Sequence, residues 1–362
     1  MSRGANAVDF WRGFALVTIF VNHIPGVWYE VLTHRNISLS DSAELFVFLA
    51  GWSLRYVAEG RRGPLPTDQL MFRLGGRAIT LYAAHMLIVM TAIAMLALAA
   101  RAMDNPLLLE WHNAAPVFFN PVETHIGLVL LSHQLGYFDI LPLYVVLMLF
   151  APVIVLTHRA APSALLPLAL AVYFLALVLR INFQTWPSEG QWFFNPLCWQ
   201  LVFVLGFVLS GDRGLGGWVG ANLKVIRWLA LPVVVAGALM AWFRWWPDPT
   251  RVPEPKLLLI VGKTFVTPLR LIQFLALIAV FSAVYPLIGR HAPRAVAALS
   301  SLGRNSLPVF CSGSVLSLAA QILRFYFQGG IVVDTVLVAS GITLMWLTGW
   351  LVEWRARVKV PA

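Results

Sequence analysis

Ten apolar runs, most of them close to the length of a bilayer crossing, limit what this chain can become. They cover residues 10–29, 43–57, 79–100, 137–156, 165–181, 196–210, 226–246, 268–288, 307–326 and 331–354. A transmembrane helix needs about 20 mostly apolar residues. In lipid a backbone group finds partners only within its own helix or a closed barrel. The expectation is an all-α, polytopic integral membrane helix bundle of about ten transmembrane helices, forming one domain over residues 1–362. Composition supports this at the decisive point. The chain is 59% hydrophobic and 12% charged, against about 45–50% apolar and about 25% charged in soluble domains, which is too apolar for a single buried core. Residues 60–66, 210–220 and 247–255 are rich in helix breakers and separate runs. The long segment 101–136 is expected to carry an amphipathic or re-entrant piece. The first run holds Arg12 and His23 and no small-residue cleavage site follows it, so it reads as a retained helix rather than a signal peptide.

Net charge is +10, but Lys and Arg sit mostly in short gaps between apolar runs. That is the pattern of cytoplasmic loops, not of a nucleic-acid-binding face on a soluble scaffold. With the N-terminus inside, seventeen of the 26 Lys and Arg residues fall on the inner side. Arg55, Arg61 and Arg62, with Arg3 and Lys359 at the ends, are among them. Both termini are therefore expected to be cytoplasmic. Trp and Tyr at the run ends fit interfacial anchoring. Cys198 and Cys311 lie in apolar runs without metal-type spacing, and neither a disulfide framework nor a metal site is expected.

Ionisable residues inside a bilayer are costly and mark candidate sites. Arg12 and His23 lie eleven residues apart in the first run, on nearly the same helical face and separated by roughly 16 Å along the axis. Asp9 is placed to pair with Arg12, as a catalytic element or as a structural ion pair at a helix end. His23 reads as a general base or as a histidine satisfied by packing between helices. The second run opens on Asp41 and Glu44, at the depth His23 reaches. Either carboxylate could orient the imidazole; Asp41 reads equally well as a helix cap. His133, Gln134, Asp139, Arg180, Asn182, Asn195 and Gln200 gather towards the outer half and suggest a polar cavity. Arg270 is a further charge within a run, unless it snorkels to the surface. On the inner side, Arg73, Arg77, Arg304 and Asn305 suit a phosphate-bearing ligand, with simple topogenic charge as the alternative. Tyr82 and His85 lie about one turn apart on the same run.

The stretch Asp9-Phe10-Trp11-Arg12-Gly13 followed by His23 resembles the first-helix motif of the acyltransferase-3 family. Ser42-Ala43-Glu44-Leu45-Phe46-Val47-Phe48-Leu49-Ala50-Gly51 is similar to its second-helix signature. His34-Arg35-Asn36, Tyr137-Phe138-Asp139-Ile140-Leu141-Pro142-Leu143-Tyr144 and Trp192-Phe193-Phe194-Asn195-Pro196 look like its OpgC branch, and Ser301-Leu302-Gly303-Arg304-Asn305-Ser306-Leu307 resembles the family's late segment. The family's Arg-x-x-Arg before the third helix is here Arg73-Leu74-Gly75-Gly76-Arg77, one residue longer.

The resemblance implies a bacterial inner-membrane O-acyltransferase that moves an acyl group, succinyl in that branch, from cytoplasmic acyl-CoA to hydroxyls of a periplasmic glucan or related saccharide. Acyl-CoA would be a co-substrate and no permanently bound cofactor is implied. Arg12, Arg73 and Arg77, with Tyr82, His85, Arg304 and Asn305, would hold the donor. His23 would deprotonate the acceptor, oriented by Glu44 or Asp41. Direct transfer and a covalent acyl-histidine both fit. Arg180 and Arg270 could take a succinyl carboxylate. His133, Asp139, Asn195, Gln200, Trp192 and Trp199 would face acceptor or acyl group. Two other classes compete: a proton- or ion-coupled secondary transporter, which also uses many spans and buried charges, and a lipid-linked sugar enzyme, for which acidic residues are scarce.

Overall fold

The computed structural model describes residues 6–60 and 63–358; the basic residues Arg3, Arg61, Arg62 and Lys359, used above for orientation, lie outside them. Among the described residues there is no strand, only an isolated bridge between Gln184 and Gln191. In chain order the α-helices are α1 (Ala7–Asn22), α2 (Ser42–Glu59), α3 (Thr67–Ala102), α4 (Ala115–Phe119), α5 (Pro121–Val129), α6 (Ile140–Ala160), α7 (Pro162–Val178), α8 (Pro196–Leu209), α9 (Gly214–Ala221), α10 (Leu223–Trp242), α11 (Pro268–Phe281), α12 (Val284–His291), α13 (Pro293–Arg304), α14 (Ser306–Tyr326) and α15 (Ile331–Val358).

Every predicted apolar run contains a helix, but fewer than ten meet the demands of a span. Five helices, α3, α6, α10, α14 and α15, are long and apolar enough to cross a membrane. The number rises to seven if the pairs α8 with α9 and α11 with α12, bent by 70° and 43°, each count as one span. The first run stops early. Its helix closes at Asn22, before Pro25 and Gly26, and Gly26 sits at φ +75°. Proline disfavours helical backbone in the residue before it, and a positive φ suits glycine. The third helix begins well before its apolar run: at 36 residues, α3 is about 54 Å long, against about 30 Å for the hydrocarbon core. The segment 101–136 forms short helical turns, a 3-10 stretch at Pro106–Asn113 followed by α4 and α5.

The chain folds as two compact units. One comprises Met1–Asn36, Leu87–Trp111 and Phe281–Ala362; the other comprises Ile37–Met86 and His112–Val280. In the first unit α1 and α13 cross at backbone distance. A Cβ on Gly13 would fall on the carbonyl of Leu299, and one on Gly303 would fall on that of Asp9. In the second unit α2 and α8 cross the same way, Gly51 against the Phe203 carbonyl and Gly206 against that of Phe48. Small residues that let backbones meet are what helices need where burial of apolar surface does not drive them together.

Candidate active site

In the first unit, the C-terminal end of α1 is tied down by buried polar groups. The N-terminal end of α1 is capped by Asn6, whose side chain accepts the Asp9 N–H at 2.9 Å and donates to the Asp9 carboxylate at 2.6 Å. At the other end His23 is the C-cap residue, its N–H reaching the Ile19 carbonyl at 2.9 Å. The amide of Gln321 on α14 donates to the His23 carbonyl at 2.5 Å. One turn along, Arg324 donates to the carbonyl of Gly26 at 2.6 Å and to Asp334 at 2.8 Å. Asp334, almost fully buried, also accepts the Trp28 N–H at 3.0 Å. Thr33 donates to the Asn22 side chain at 2.8 Å. Apart from the Asn6 cap, these contacts hold the chain between Asn22 and Trp28, around His23. His34 packs its ring against Phe14 of α1, centroids 5.7 Å apart.

In the second unit, Asp41 and Glu44 form a capping box at the start of α2. The Asp41 carboxylate accepts the Ala43 N–H at 2.8 Å and the Glu44 carboxylate accepts the Asp41 N–H at 3.0 Å. This satisfies helix-end donors that would otherwise lack partners. The same carboxylates meet two cations. Lys263 reaches Asp41 at 2.6 Å, and Arg270 contacts Glu44 and lies 3.3 Å from Asp41. Arg270 also donates to the Leu39 carbonyl at 2.7 Å. One helical turn on, Gln273 accepts from Ser38 at 2.9 Å and from Ser40 at 3.2 Å. Arg270 is thus buried among partners rather than snorkelling, and it is engaged by Glu44 and Asp41. The Lys263 ammonium also lies over the rings of Phe193 and Phe194, 5.6 and 5.4 Å from their centroids.

Several predicted acceptor residues have structural employment. Asn195, fully buried, caps α8 by accepting the Leu197 N–H at 3.0 Å and donates to the Ile181 carbonyl at 2.8 Å. Gln200 donates to the Ala169 carbonyl at 2.8 Å. Trp199 is wholly buried and its indole N–H reaches the Lys263 carbonyl at 3.2 Å, so it supports the loop from behind instead of facing solvent. Arg180 pairs at 2.7 Å with exposed Glu254. The Lys256 N–H and then this guanidinium hold the Glu254 carboxyl below its usual range. Asp139 is the residue before α6 and lies in the field of Lys263. His133 is buried and meets the Asn113 carbonyl at 3.1 Å; burial pushes its imidazole down, with that hydrogen bond opposing.

Among the predicted donor residues, Arg73 and Arg77 are exposed on the first turns of α3. Tyr82 donates to the Val129 carbonyl at 2.9 Å, and His85 is fully buried. Arg304 and Asn305 do not stand open: both bind Glu353 of α15, at 2.9 and 3.1 Å. They lock the end of α13 to its neighbour. Sequence reading missed Lys263, Gln273, Gln321, Arg324 and Asp334. A glutamine and an arginine at i and i+3 within an apolar run, as at 321 and 324, were a usable signal.

A family model described as OpgC protein matches residues 5–357, nearly the whole chain. The chain belongs to the OpgC protein family. Comparison with curated proteins and with solved structures gives no match. Membership in the OpgC family supports a membrane acyltransferase that acts on glucans. In this OpgC family member His23 lies in the polar cluster at the end of α1 and Asp41 and Glu44 in the one at the start of α2, whereas Arg304 and Asn305 are held by Glu353.

Proposed function

We propose that this OpgC family member transfers an acyl group, succinyl being the favoured one, from cytoplasmic acyl-CoA to hydroxyls of a periplasmic glucan. The observation that carries the reading is the anchoring of His23: the buried Gln321 amide holds its carbonyl, Thr33 holds the Asn22 side chain just before it, and half-buried Arg324, paired with buried Asp334, holds the Gly26 carbonyl after it, at the far end of a helix whose first turns hold Arg12. Positional precision of that kind serves a group that must meet a reacting atom.

In this proposal both termini face the cytoplasm, and Arg12, Arg73 and Arg77 attract the phosphates of the donor. His23 takes the proton of an acceptor hydroxyl. The acceptor oxygen attacks the thioester carbonyl, the C–S bond breaks, and the sulfur leaves with the proton that the imidazolium returns. The resemblance to the acyltransferase-3 family supports the same assignment. Mass spectrometry of envelope glycans tests it. The succinyl increment should vanish in cells carrying His23→Ala while the protein still accumulates in the membrane, since losing a general base costs about 10²–10⁴-fold. Glycans that keep the increment in that variant would refute the role of His23.

A further inference from the structure

Beside the charged cluster of the second unit lies a cavity of about 410 Å³, within the roughly 300–1,000 Å³ of small-molecule sites. Two irregular segments form its walls, one between α7 and α8 and one between α10 and α11. Gln191, Trp192, Phe193, Gly262, Lys263 and Thr264 are on its surface. The walls are cross-linked. The Asn195 N–H reaches the Thr264 carbonyl at 3.2 Å, the Trp199 indole reaches Lys263, and the Tyr173 hydroxyl holds the Val266 carbonyl at 2.7 Å. Trp192 is held as well, its N–H on the Phe183 carbonyl at 2.8 Å and its own carbonyl accepting from Asn182 at 2.8 Å. The site is therefore formed without a ligand. Its three aromatic residues, Trp192, Phe193 and Phe265, differ: Trp192 is 5% exposed and acts as a back wall, while Phe193, with the Lys263 ammonium over its ring, is 46% exposed and the most open of the three.

Charge decides what such a cavity takes. Among the described residues the one cation on its lining is Lys263, and Lys263 is paired with Asp41, while Arg270 is paired with Glu44 and Asp41. Asp41 and Glu44 balance Lys263 and Arg270, and Asp139 adds a further acidic group in the field of Lys263. An anionic ligand would have to break a partly buried ion pair to gain a counter-charge. A neutral polyol meets no such cost, since aromatic faces suit its C–H surfaces and the Gln191, Thr264 and backbone groups suit its hydroxyls.

From this we infer that the cavity is a subsite for one neutral glucosyl unit of the acceptor, with Phe193 as its platform, and that it does not hold the acyl carboxylate. The inference rests on the glucan-acyltransferase reading and adds the residues that grip the acceptor. It is tested on the full-length protein in lipid nanodiscs by saturation-transfer NMR and titration with a linear gluco-oligosaccharide, with succinate as the anionic probe. The oligosaccharide should bind the wild type, and Phe193→Ala should weaken it about tenfold while Phe193→Trp retains it. Gln191→Ala, at an exposed position, should weaken it less. Succinate should not compete. His23→Ala should bind the oligosaccharide as the wild type does while transferring nothing, which separates this site from the transfer reading. Unchanged affinity in Phe193→Ala, absence of oligosaccharide binding, or displacement by succinate would each overturn the inference. Persistence of transfer in His23→Ala would instead overturn only the assignment of the base.

Discussion

Removing Arg270 tests whether the buried charges at the start of α2 form one balanced unit. Arg270→Met keeps most of the side-chain volume and deletes the guanidinium. Glu44, fully buried, then loses its only ion-pair partner among the described residues, and Asp41 keeps Lys263 alone. Charge centres about 4 Å apart interact by about 4 kcal/mol at an effective dielectric of about 20, and breaking a buried pair typically costs about 3–5 kcal/mol. The Leu39 carbonyl loses its donor as well, at about 1 kcal/mol. The single variant should therefore be destabilised by about 4 kcal/mol. Adding Glu44→Gln removes the stranded charge and leaves Asp41 with Lys263, so the double variant should recover about half of the loss or more. Reversible unfolding in mixed micelles, for wild type, both singles and the double, gives the coupling directly. Additive losses, or a single variant as stable as the wild type, would refute the balanced cluster.

Three further outcomes follow from named contacts. Gly13→Ala should destabilise the protein by about 1–3 kcal/mol, because its Cβ would fall on the Leu299 backbone and a packed crossing cannot yield; Gly75→Ala on α3, with nothing near its Cβ, should be neutral or stabilising by up to about 1 kcal/mol, and thermal unfolding of the two variants side by side checks both. Gln321→Leu should lower kcat about ten- to a hundredfold with little change in KM for donor or acceptor, since it frees the backbone of His23 without touching a substrate; an equal rise in KM would place Gln321 in a binding site. His133 has its folded-state pKa below the ordinary 6.5, so its contribution to stability is complete above pH 6.5 and is lost as pH falls through the lower folded value. His133→Gln should flatten that acid limb of the stability curve, measured by unfolding between about pH 7 and pH 4.5.

The long apolar helices were legible because hydropathy over a window of about twenty residues reports them directly. What that window cannot see is where a helix stops or a short one lies. Helix α1 ends at Asn22 because Pro25 and Gly26 terminate it, although the apolar residues continue to 29. Helix α13, only 12 residues long and amphipathic, is shorter than any span, yet it carries one of the two closest helix crossings. At the site, residue types were found more readily than partners. Glu44 was singled out as a carboxylate opening the second run, but Arg270 lies 226 residues away and nothing local links the two. Lys263 sits in an irregular segment and gave no periodic signal. Asn195 and Gln200 illustrate the converse: a polar residue beside an apolar run reads as a site whether it binds a ligand or caps a helix. Arg304 and Asn305 read as phosphate ligands until Glu353 supplied their partner.

Under the proposed function, charge placement in the second unit would separate donor from acceptor. The proposed donor bears phosphates and would need cations that solvent reaches, and Arg73 and Arg77 are exposed on α3. The cluster at the start of α2 is the opposite case. Its carboxylates and cations are buried and matched, so their field cancels within a few ångströms and offers an incoming anion little. Matching also spares α2 an unpaired charge in its first turn, where the capping box already places both carboxylates beside helix-end N–H groups. Stability and selectivity therefore have a common origin. The ion pairs that hold Lys263 and Arg270 in place also leave the adjoining cavity electrically neutral, and a neutral cavity with an exposed ring admits sugar in preference to acid.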